Sequence, residues 1–230
     1  FAISSEESRF TLNGALLILK ERGLVMVSTD GHRLAYVETA QQVEGIRSTY
    51  RALVPRKAMG EILKLSQEAA ADSVVGFAGD ENHLFFQSGE RLLISRKLTG
   101  NFPDFERVLP KEHPHLVTLN RDEFKAAIER VAQFSDERSR AIRVQVANGE
   151  VRIHSSVSET GESEETLPVP YDGPSVEIGF NAQYLIDFLR VVPTDTISFL
   201  FKDAHSAGEL QPGGDSPASI YRYVIMPMRI

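Results

Sequence analysis

The sequence contains no cysteine and no tryptophan among its 230 residues. Without cysteine the chain cannot form a disulfide framework, a thiolate zinc site or a cysteine nucleophile, and its composition suits a reducing compartment. No apolar run approaches the roughly 18 residues that a transmembrane helix requires. The absence of cysteine therefore excludes a scaffold held together by disulfides and catalysis by a cysteine nucleophile.

Positive charge is also in deficit. The chain carries 25 Lys and Arg residues against 32 Asp and Glu residues, which gives a net charge of −7. Such a balance argues against a protein that grips nucleic acid over its whole surface, but it leaves room for a local basic face. The hydrophobic content of 42% is that of a globular chain, and the length corresponds to one large domain or two small ones.

Short alternating segments dominate the chain and predict a β-rich fold. Asn148-Gly149 is the strongest hairpin signal, and residues 21–23 predict a second hairpin. The predicted strands cover residues 11–19, 23–28, 74–78, 84–87, 91–97, 140–147, 151–156, 175–179, 196–201 and 221–226. Three segments have a helical period instead and predict helices over residues 55–65, 120–134 and 181–191. Asn120 and Asn181 suit the N-cap positions of the last two.

An internal repeat relates the two halves of the chain, with an offset of about 125–135 residues. Residues 1–9 and 134–140 are similar, and each precedes a strand, a turn ending in Gly and a second strand. Residues 53–56 and 178–181 each lead into a helix followed by about three strands. In the second copy a helix precedes Phe134, whereas the first copy starts at Phe1. We therefore expect the chain to begin inside a domain, with two domains at 1–112 and 113–230 joined near the proline-containing segment 101–110.

Two motifs could carry chemistry. Asp30 and His32 could act as an acid–base pair, although Asp-Gly after a strand more often forms a turn. His113 and His115 could bind a metal, but no third ligand lies nearby, so a solvated interdomain loop is the favoured interpretation.

Two further segments can each be interpreted either as ordinary structure or as a functional surface. The acidic run Glu159–Glu165 is either a solvated loop or an interface patch for a basic partner. The apolar tail, residues 223–230, either packs into its own core or lines an apolar site, since Met is common on surfaces that accept varied apolar side chains. Lys57 and Lys64 share one helix face, as do Arg121 and Lys125, but composition alone predicts ordinary solvated faces there.

Four motifs taken together resemble the bacterial DNA polymerase III beta subunit family, the replicative sliding clamps. They are residues 28–35 (STDGHRLA), 54–57 (VPRK), 100–110 (GNFPDFERVLP) and the tail 223–230 (YVIMPMRI). They occur in the family's order and span nearly the whole chain, which matches the second and third of the family's three domains. The resemblance implies an α+β DNA-clamp fold, in which each repeated domain carries two helices packed on antiparallel β-sheets. It also implies that the first domain, and the opening strand and helix of the second, are absent here.

The same resemblance implies a non-catalytic polymerase processivity factor that uses no cofactor and no metal and works in the cytoplasm. The full-length family member is a head-to-tail homodimeric ring that encircles duplex DNA without sequence specificity. It tethers the polymerase III alpha subunit, clamp-loader subunits, other polymerases and repair proteins through a short peptide motif. A chain without the first domain is expected to be mainly monomeric.

The site residues that the resemblance implies fall into three groups. The peptide-binding pocket, between the second and third domains, is implied at Leu12, Thr29, Gly31, His32, Arg33, Leu34, Pro103, Arg107, Val108, Asn181, Tyr184, His205, Val224, Ile225, Met226, Pro227, Met228, Arg229 and Ile230. DNA-facing residues are implied at Arg9, Arg56, Lys57, Lys64, Arg121 and Lys125. The ring interface is implied at Phe134, Glu159, Glu162, Glu164 and Glu165.

This sequence departs from the family pattern at three places. Ser139 stands where a larger, often aromatic, side chain can occur, and His205 stands where a small aliphatic one is common. Phe10-Thr11 replaces a more aromatic pair near the DNA-facing loop. Two other classes of function remain as alternatives, namely a small enzyme using Asp30, His32 and Arg33, and a generic β-rich binding scaffold. The series of motifs favours the clamp over both.

Overall fold

The computed structural model of the chain describes residues 1–68, 73–157, 161–214 and 219–229. The fold divides into two compact units. The central unit spans Ala2–Phe105 and takes in Ala218–Ile220, and the C-terminal unit spans Glu106–Pro217 and Tyr221–Ile230 together with Phe1. The class is α+β, with three α-helices and antiparallel strands in the described residues. In that part of the chain, no helix is long and apolar enough to span a bilayer.

The described residues of the central unit form two groups of antiparallel strands and one α-helix. Four strands lie in the order β4-β1-β2-β3, and three more in the order β5-β6-β7. Their bounds are β1 (Gly14–Lys20), β2 (Arg22–Thr29), β3 (Arg33–Gln42), β4 (Tyr50–Pro55), β5 (Gly76–Gly79), β6 (His83–Ser88) and β7 (Arg91–Arg96). Helix α1 (Arg56–Glu68) packs through Ala58 onto a core that includes Leu17, Val54, Leu84 and Phe86.

The C-terminal unit repeats this plan and adds a second helix. Its strands lie in the orders β11-β10-β9-β12 and β15-β14-β13-β8. Their bounds are β8 (His115–Asn120), β9 (Ala141–Ala147), β10 (Glu150–Val157), β11 (Gly161–Pro168), β12 (Val176–Asn181), β13 (Thr196–Phe201), β14 (Gly208–Pro212) and β15 (Ser219–Ile225). Helices α2 (Arg121–Val131) and α3 (Ala182–Leu189) pack on each other, and Phe124, Ile128, Leu185 and Phe188 are almost completely buried.

The two helices of the C-terminal unit begin at asparagine caps, as the sequence predicts. The Asn120 Oδ1 atom accepts hydrogen bonds from the amides of Asp122 and Glu123, both at 3.0 Å. The Asn181 Oδ1 atom does the same for Gln183 at 2.9 Å and Tyr184 at 3.3 Å. These bonds satisfy amides that the first helical turn leaves without intrahelical partners.

The internal repeat is confirmed by the order of elements. In the central unit β4 leads into α1 and then β5, β6 and β7, and in the C-terminal unit β12 leads into α3 and then β13, β14 and β15. Both predicted hairpins form, β1–β2 around Glu21 and β9–β10 around Asn148-Gly149. Gly149 has φ +79°, a left-handed conformation that suits glycine at this turn.

Two predictions from the sequence are wrong. The acidic run is not a loop in the described residues, because Glu162, Glu164 and Glu165 lie on β11, which pairs with β10 along its whole length. Glu159 lies outside the described residues. His113 is not in a solvated loop either, since its side chain is only 11% exposed and bonds to Glu209, while His115 begins β8 with its ring 5.3 Å from that of Phe201.

Candidate functional site

The C-terminal tail is held against the edge of a sheet. After β15, the amide of Met228 donates a 2.8 Å hydrogen bond to the carbonyl of Gly179, which forms a single bridge to β12. Val224 and Ile225 are each 1% exposed and belong to the core, whereas Met226 is 39% exposed. The strand part of the tail therefore packs into the core, and its end reaches the surface. Ile230 lies outside the described residues.

A cleft of about 370 Å³ opens beside the bridged tail. Its lining includes four of the residues predicted for the peptide pocket, namely His205, Pro227, Met228 and Arg229, and four that the sequence did not indicate, namely Arg143, Glu177, Gly179 and Ala204. Arg143 lies directly opposite Gly179 in the β9–β12 pairing. Its guanidinium is 3.7 Å from the Glu177 carboxylate. The cleft thus combines an apolar side from the tail with a charged side from β9 and β12.

His205 is placed on the rim of this cleft by a local turn. The Asp203 Oδ1 atom accepts hydrogen bonds from the amides of His205 at 2.9 Å and Ser206 at 2.8 Å. These bonds, led by that from His205, hold the pKa of the Asp203 carboxyl below its ordinary value. The His205 side chain is exposed. An imidazole therefore stands at the mouth of the cleft, at a position where the sequence departs from the pattern that the resemblance implies.

Asn181 and Tyr184 act as structural supports of the same region. Besides capping α3, Asn181 donates from Nδ2 to the carbonyl of Ser139 at 3.1 Å. Tyr223 donates from its hydroxyl to the Tyr184 carbonyl at 2.9 Å. Its ring also stacks on Phe188 at 5.1 Å. These contacts tie the start of α3 to β15, whose last residues begin the tail.

In the central unit, the predicted site residues from Thr29 to Leu34 form a tight turn. Asp30 Oδ1 accepts from the amides of His32 at 2.9 Å and Arg33 at 3.1 Å. Its Oδ2 accepts from Arg33 Nε at 3.0 Å. Gly31 has φ +91°. Both carboxylate oxygens are thus engaged in shaping the turn, which supports the turn interpretation of this motif over a catalytic base.

The remaining predicted site residues of this group lie in varied surroundings. Leu12 and Leu34 are buried, Val108 is half-buried, and Pro103 and Arg107 are exposed.

The predicted DNA-facing cations differ in their surroundings. Arg56 and Lys57 are exposed in the first turn of α1, which contains no acidic residue. Cations at this end oppose the helix dipole, so the arrangement costs a few tenths of a kcal/mol and favours a bound anion. Lys64, Arg121 and Arg9 each contact a neighbouring carboxylate, from Glu61 at 2.8 Å, Asp122 at 2.9 Å and Glu6 at 2.9 Å respectively. Lys125 is half-buried.

The carboxylates predicted for a ring interface have basic neighbours within this chain. Arg130 donates to both oxygens of Glu165, at 2.7 and 3.0 Å, and this pairing lowers the pKa of the Glu165 carboxyl. Glu164 lies 3.5 Å from Arg152, and Glu162 lies 3.9 Å from His154. Phe134 is half-buried. Exposed pairs of this kind are screened by solvent and contribute little to stability.

The described residues contain no group of three or more His, Asp or Glu side chains that could hold a metal ion.

Comparison with known proteins defines the class to which this fold and tail belong. The family model described as "DNA polymerase III beta subunit, central domain" matches residues 1–104, and that described as "DNA polymerase III beta subunit, C-terminal domain" matches residues 106–229. The chain belongs to the DNA polymerase III beta subunit family.

Individual relatives agree with this assignment. The chain is 37% identical over 230 residues to the beta sliding clamp of Pseudomonas putida, and it covers 61% of that protein. It is 35% identical over 238 residues to the beta sliding clamp of Caulobacter vibrioides, again covering 61% of it. The chain thus spans about three-fifths of the length of these relatives.

Solved structures agree as well. The crystal structure of the sliding clamp from Pseudomonas aeruginosa superposes with a TM-score of 0.92 at 37% identity, covering 100% of this chain and 62% of that one. A clamp from Bartonella birtlesii bound to griselimycin gives a TM-score of 0.88 at 33% identity and covers 100% of this chain and 61% of that one. The sliding-clamp fold expected from the sequence is confirmed.

Proposed function

We propose that this chain is the partner-binding part of a sliding clamp, a non-catalytic processivity factor for DNA replication in the cytoplasm. The whole protein would encircle duplex DNA as a homodimeric ring and tether the replicative polymerase, the clamp loader and repair proteins. The observation that carries the proposal is the apolar tail bridged to β12 beside a cleft, in a chain whose relatives are named beta sliding clamps.

The partner would be a short peptide with apolar and aromatic anchors. Met228 and Pro227 give the cleft an apolar side, and the flexible thioether of Met adapts to anchors of different shape. The affinity of one such peptide is expected to be micromolar, about −8 kcal/mol. A tethered polymerase then gains effective concentration at the primer end without making new contacts with DNA.

The affinity of the clamp for DNA would be low, because few of its residues would contact phosphate. The net charge of −7 repels phosphate overall, so only a local cationic surface, including Arg56 and Lys57, would face the duplex. Few phosphate contacts mean low, salt-sensitive affinity and easy sliding, with retention supplied by the ring. The other implied contact residues, in the turn from Thr29 to Leu34 and on β11, remain predictions, as does the domain boundary at residues 112 and 113.

The test is fluorescence anisotropy of a labelled clamp-binding peptide (Gln, an apolar spacer, then Leu-Phe) titrated with the chain. We expect saturable micromolar binding that is lost on deletion of residues 228–230 and weakened about tenfold by Met228→Ala. Leu92→Ala is the matched control, because Leu92 is 57% exposed on β7. Griselimycin serves as a second probe, since it is bound to the Bartonella clamp, and we expect it to displace the peptide.

A melting curve on each sample shows that the variants are folded. Absence of peptide binding by the folded intact chain would overturn the proposal. Equal binding by the intact and tail-deleted chains would overturn the assignment of the site to the tail.

A further inference from the structure

The C-terminal unit contains a carboxylate that is completely buried. Glu209 on β14 is 0% exposed. Its Oε1 atom accepts hydrogen bonds from Arg222 Nε at 2.6 Å and Gln211 Nε2 at 2.7 Å. Its Oε2 atom accepts from Arg222 Nη2 at 2.7 Å and is 2.8 Å from His113 Nε2. Four short bonds therefore use the acceptor capacity that an ionised carboxylate has, which offsets the cost of burying the charge.

This cluster joins three separate segments of the chain. Glu209 and Gln211 come from β14, and Arg222 comes from β15. His113 precedes β8. Arg222 Nη2 also donates to the carbonyl of Pro110 at 2.7 Å. One guanidinium thus holds the buried carboxylate and the backbone of the segment 110–113 at the same time.

Each joined segment adjoins residues proposed to contact partners. Glu209 is directly opposite Val224 in the β14–β15 pairing, and Val224 leads through Ile225 into the surface part of the tail, residues 226–229. On the other side, Arg107 and Val108 lie three and two residues before Pro110. Because a one-residue slip in a strand moves every side chain to the other face, the bonds of Glu209 fix which face Val224 presents.

We infer that Glu209 is a positioning residue for partner binding, which sets the placement of Arg107 and Val108 relative to the β15 strand and the tail. This inference rests on the function proposed above. A contribution to stability does not by itself explain why the chain has this cluster. Replacing a buried ion pair by apolar residues of similar volume often leaves the stability of a protein unchanged or raises it. Directional hydrogen bonds, in contrast, specify one arrangement of the segments that they join.

The first experiment measures peptide affinity for Glu209→Gln well below its melting temperature. The amide keeps the shape of the carboxylate but presents an N–H₂ group to donors, so the four bonds cannot all form. We expect an affinity loss of about tenfold. Glu129→Gln is the matched control, since Glu129 pairs with Arg190 at the surface, and its affinity should equal that of the parent chain.

The second experiment separates positioning from general destabilisation. Val108→Ala is made in the parent chain and in Glu209→Gln, and peptide affinity is measured for all four proteins. If Glu209 positions Val108, the fold-loss caused by Val108→Ala shrinks by at least half in the Glu209→Gln background, since independent sites would give equal losses. Hydrogen exchange of the amides of residues 108, 109, 111 and 112 should be faster in Glu209→Gln and unchanged in Glu129→Gln.

A milder pair of variants covers the case in which Glu209→Gln does not fold. His113→Gln keeps an N–H donor and should retain the parent affinity, whereas His113→Ala should lose several-fold. Equal affinities for the parent, His113→Ala and any folded Glu209→Gln would overturn the inference while leaving the proposed function intact. No peptide binding by the parent chain would overturn the proposed function instead.

Discussion

Asn181 makes three hydrogen bonds through one side chain, whereas Asn120 makes two. Both cap a helix, but Asn181 also donates to the Ser139 carbonyl. Loss of an asparagine cap costs about 1 kcal/mol, and loss of a further part-buried hydrogen bond costs about 0.5–1.5 kcal/mol. We expect Asn120→Ala to lower the free energy of unfolding by about 1 kcal/mol and Asn181→Ala by about 2 kcal/mol. Urea unfolding of the two variants checks this, and equal losses would show that the Ser139 contact contributes nothing.

Glu209 also gives the chain a specific response to acid. Burial alone would raise the pKa of its carboxyl, but the hydrogen bonds from Arg222, Gln211 and His113 outweigh this and hold the pKa below its ordinary value of 4.5. A lowered pKa contributes stability that is fully present above the unfolded value and is lost as the pH falls through the folded value. The stability advantage of the parent chain over Glu209→Gln should therefore be constant near neutral pH and shrink below about pH 4.5. Urea titrations at several pH values test this, and a constant difference down to pH 3 would contradict it.

At the scale of elements, two glycines respond in opposite ways to an added methyl group. Gly60 lies within α1, and apart from its chain neighbours and the backbone of its own helix nothing lies within 4 Å of where its Cβ would be. Gly60→Ala should stabilise the chain by about 0.5–1 kcal/mol, because alanine has the higher helix propensity. Gly208 begins β14, where a Cβ would lie 2.8 Å from the ring of Phe180, so Gly208→Ala should cost about 1–3 kcal/mol. Thermal melts of the two variants test these opposite effects. A melting temperature that moved in the same direction in both variants would contradict this account.

Elements with a strong local pattern could be predicted from the sequence. Helices α2 and α3 carry an asparagine cap and an apolar stripe, and the β9–β10 turn carries Asn-Gly. In contrast, β11 has the sequence GESEETLP, which is typical of a solvated loop. It forms a strand because β10 supplies eight pairing positions along it, a tertiary effect that no local window contains.

Some residues of the candidate site could likewise be predicted from the sequence, whereas others could not. The tail could be named from its own motif, and His205 from the resemblance to the family. Arg143 and Glu177 could not, because only the antiparallel register of β9 and β12 brings them to the cleft. A register between distant strands depends on the whole sheet, so single-sequence patterns do not contain it.

At the scale of the whole molecule, net negative charge and a local cationic surface predict a distinctive response to salt. Binding of short duplex DNA should be weak and should fall about tenfold between 50 and 200 mM salt, as for about two phosphate contacts. Replacing both Arg56 and Lys57 by Ala should weaken binding several-fold and flatten this dependence. Replacing the exposed Lys111 and Lys202 together is the control and should change little. If the control pair weakened binding as much as the test pair, the DNA-facing surface would lie elsewhere.

The most direct test of the account is hydrogen exchange of the intact chain with and without saturating clamp-binding peptide. If the tail and the cleft beside β12 form the partner site, slowing should concentrate in residues 177–181, 203–207 and 224–229. Protection confined to α1 or to β5–β7, or no protection at a peptide concentration that saturates anisotropy, would contradict the account.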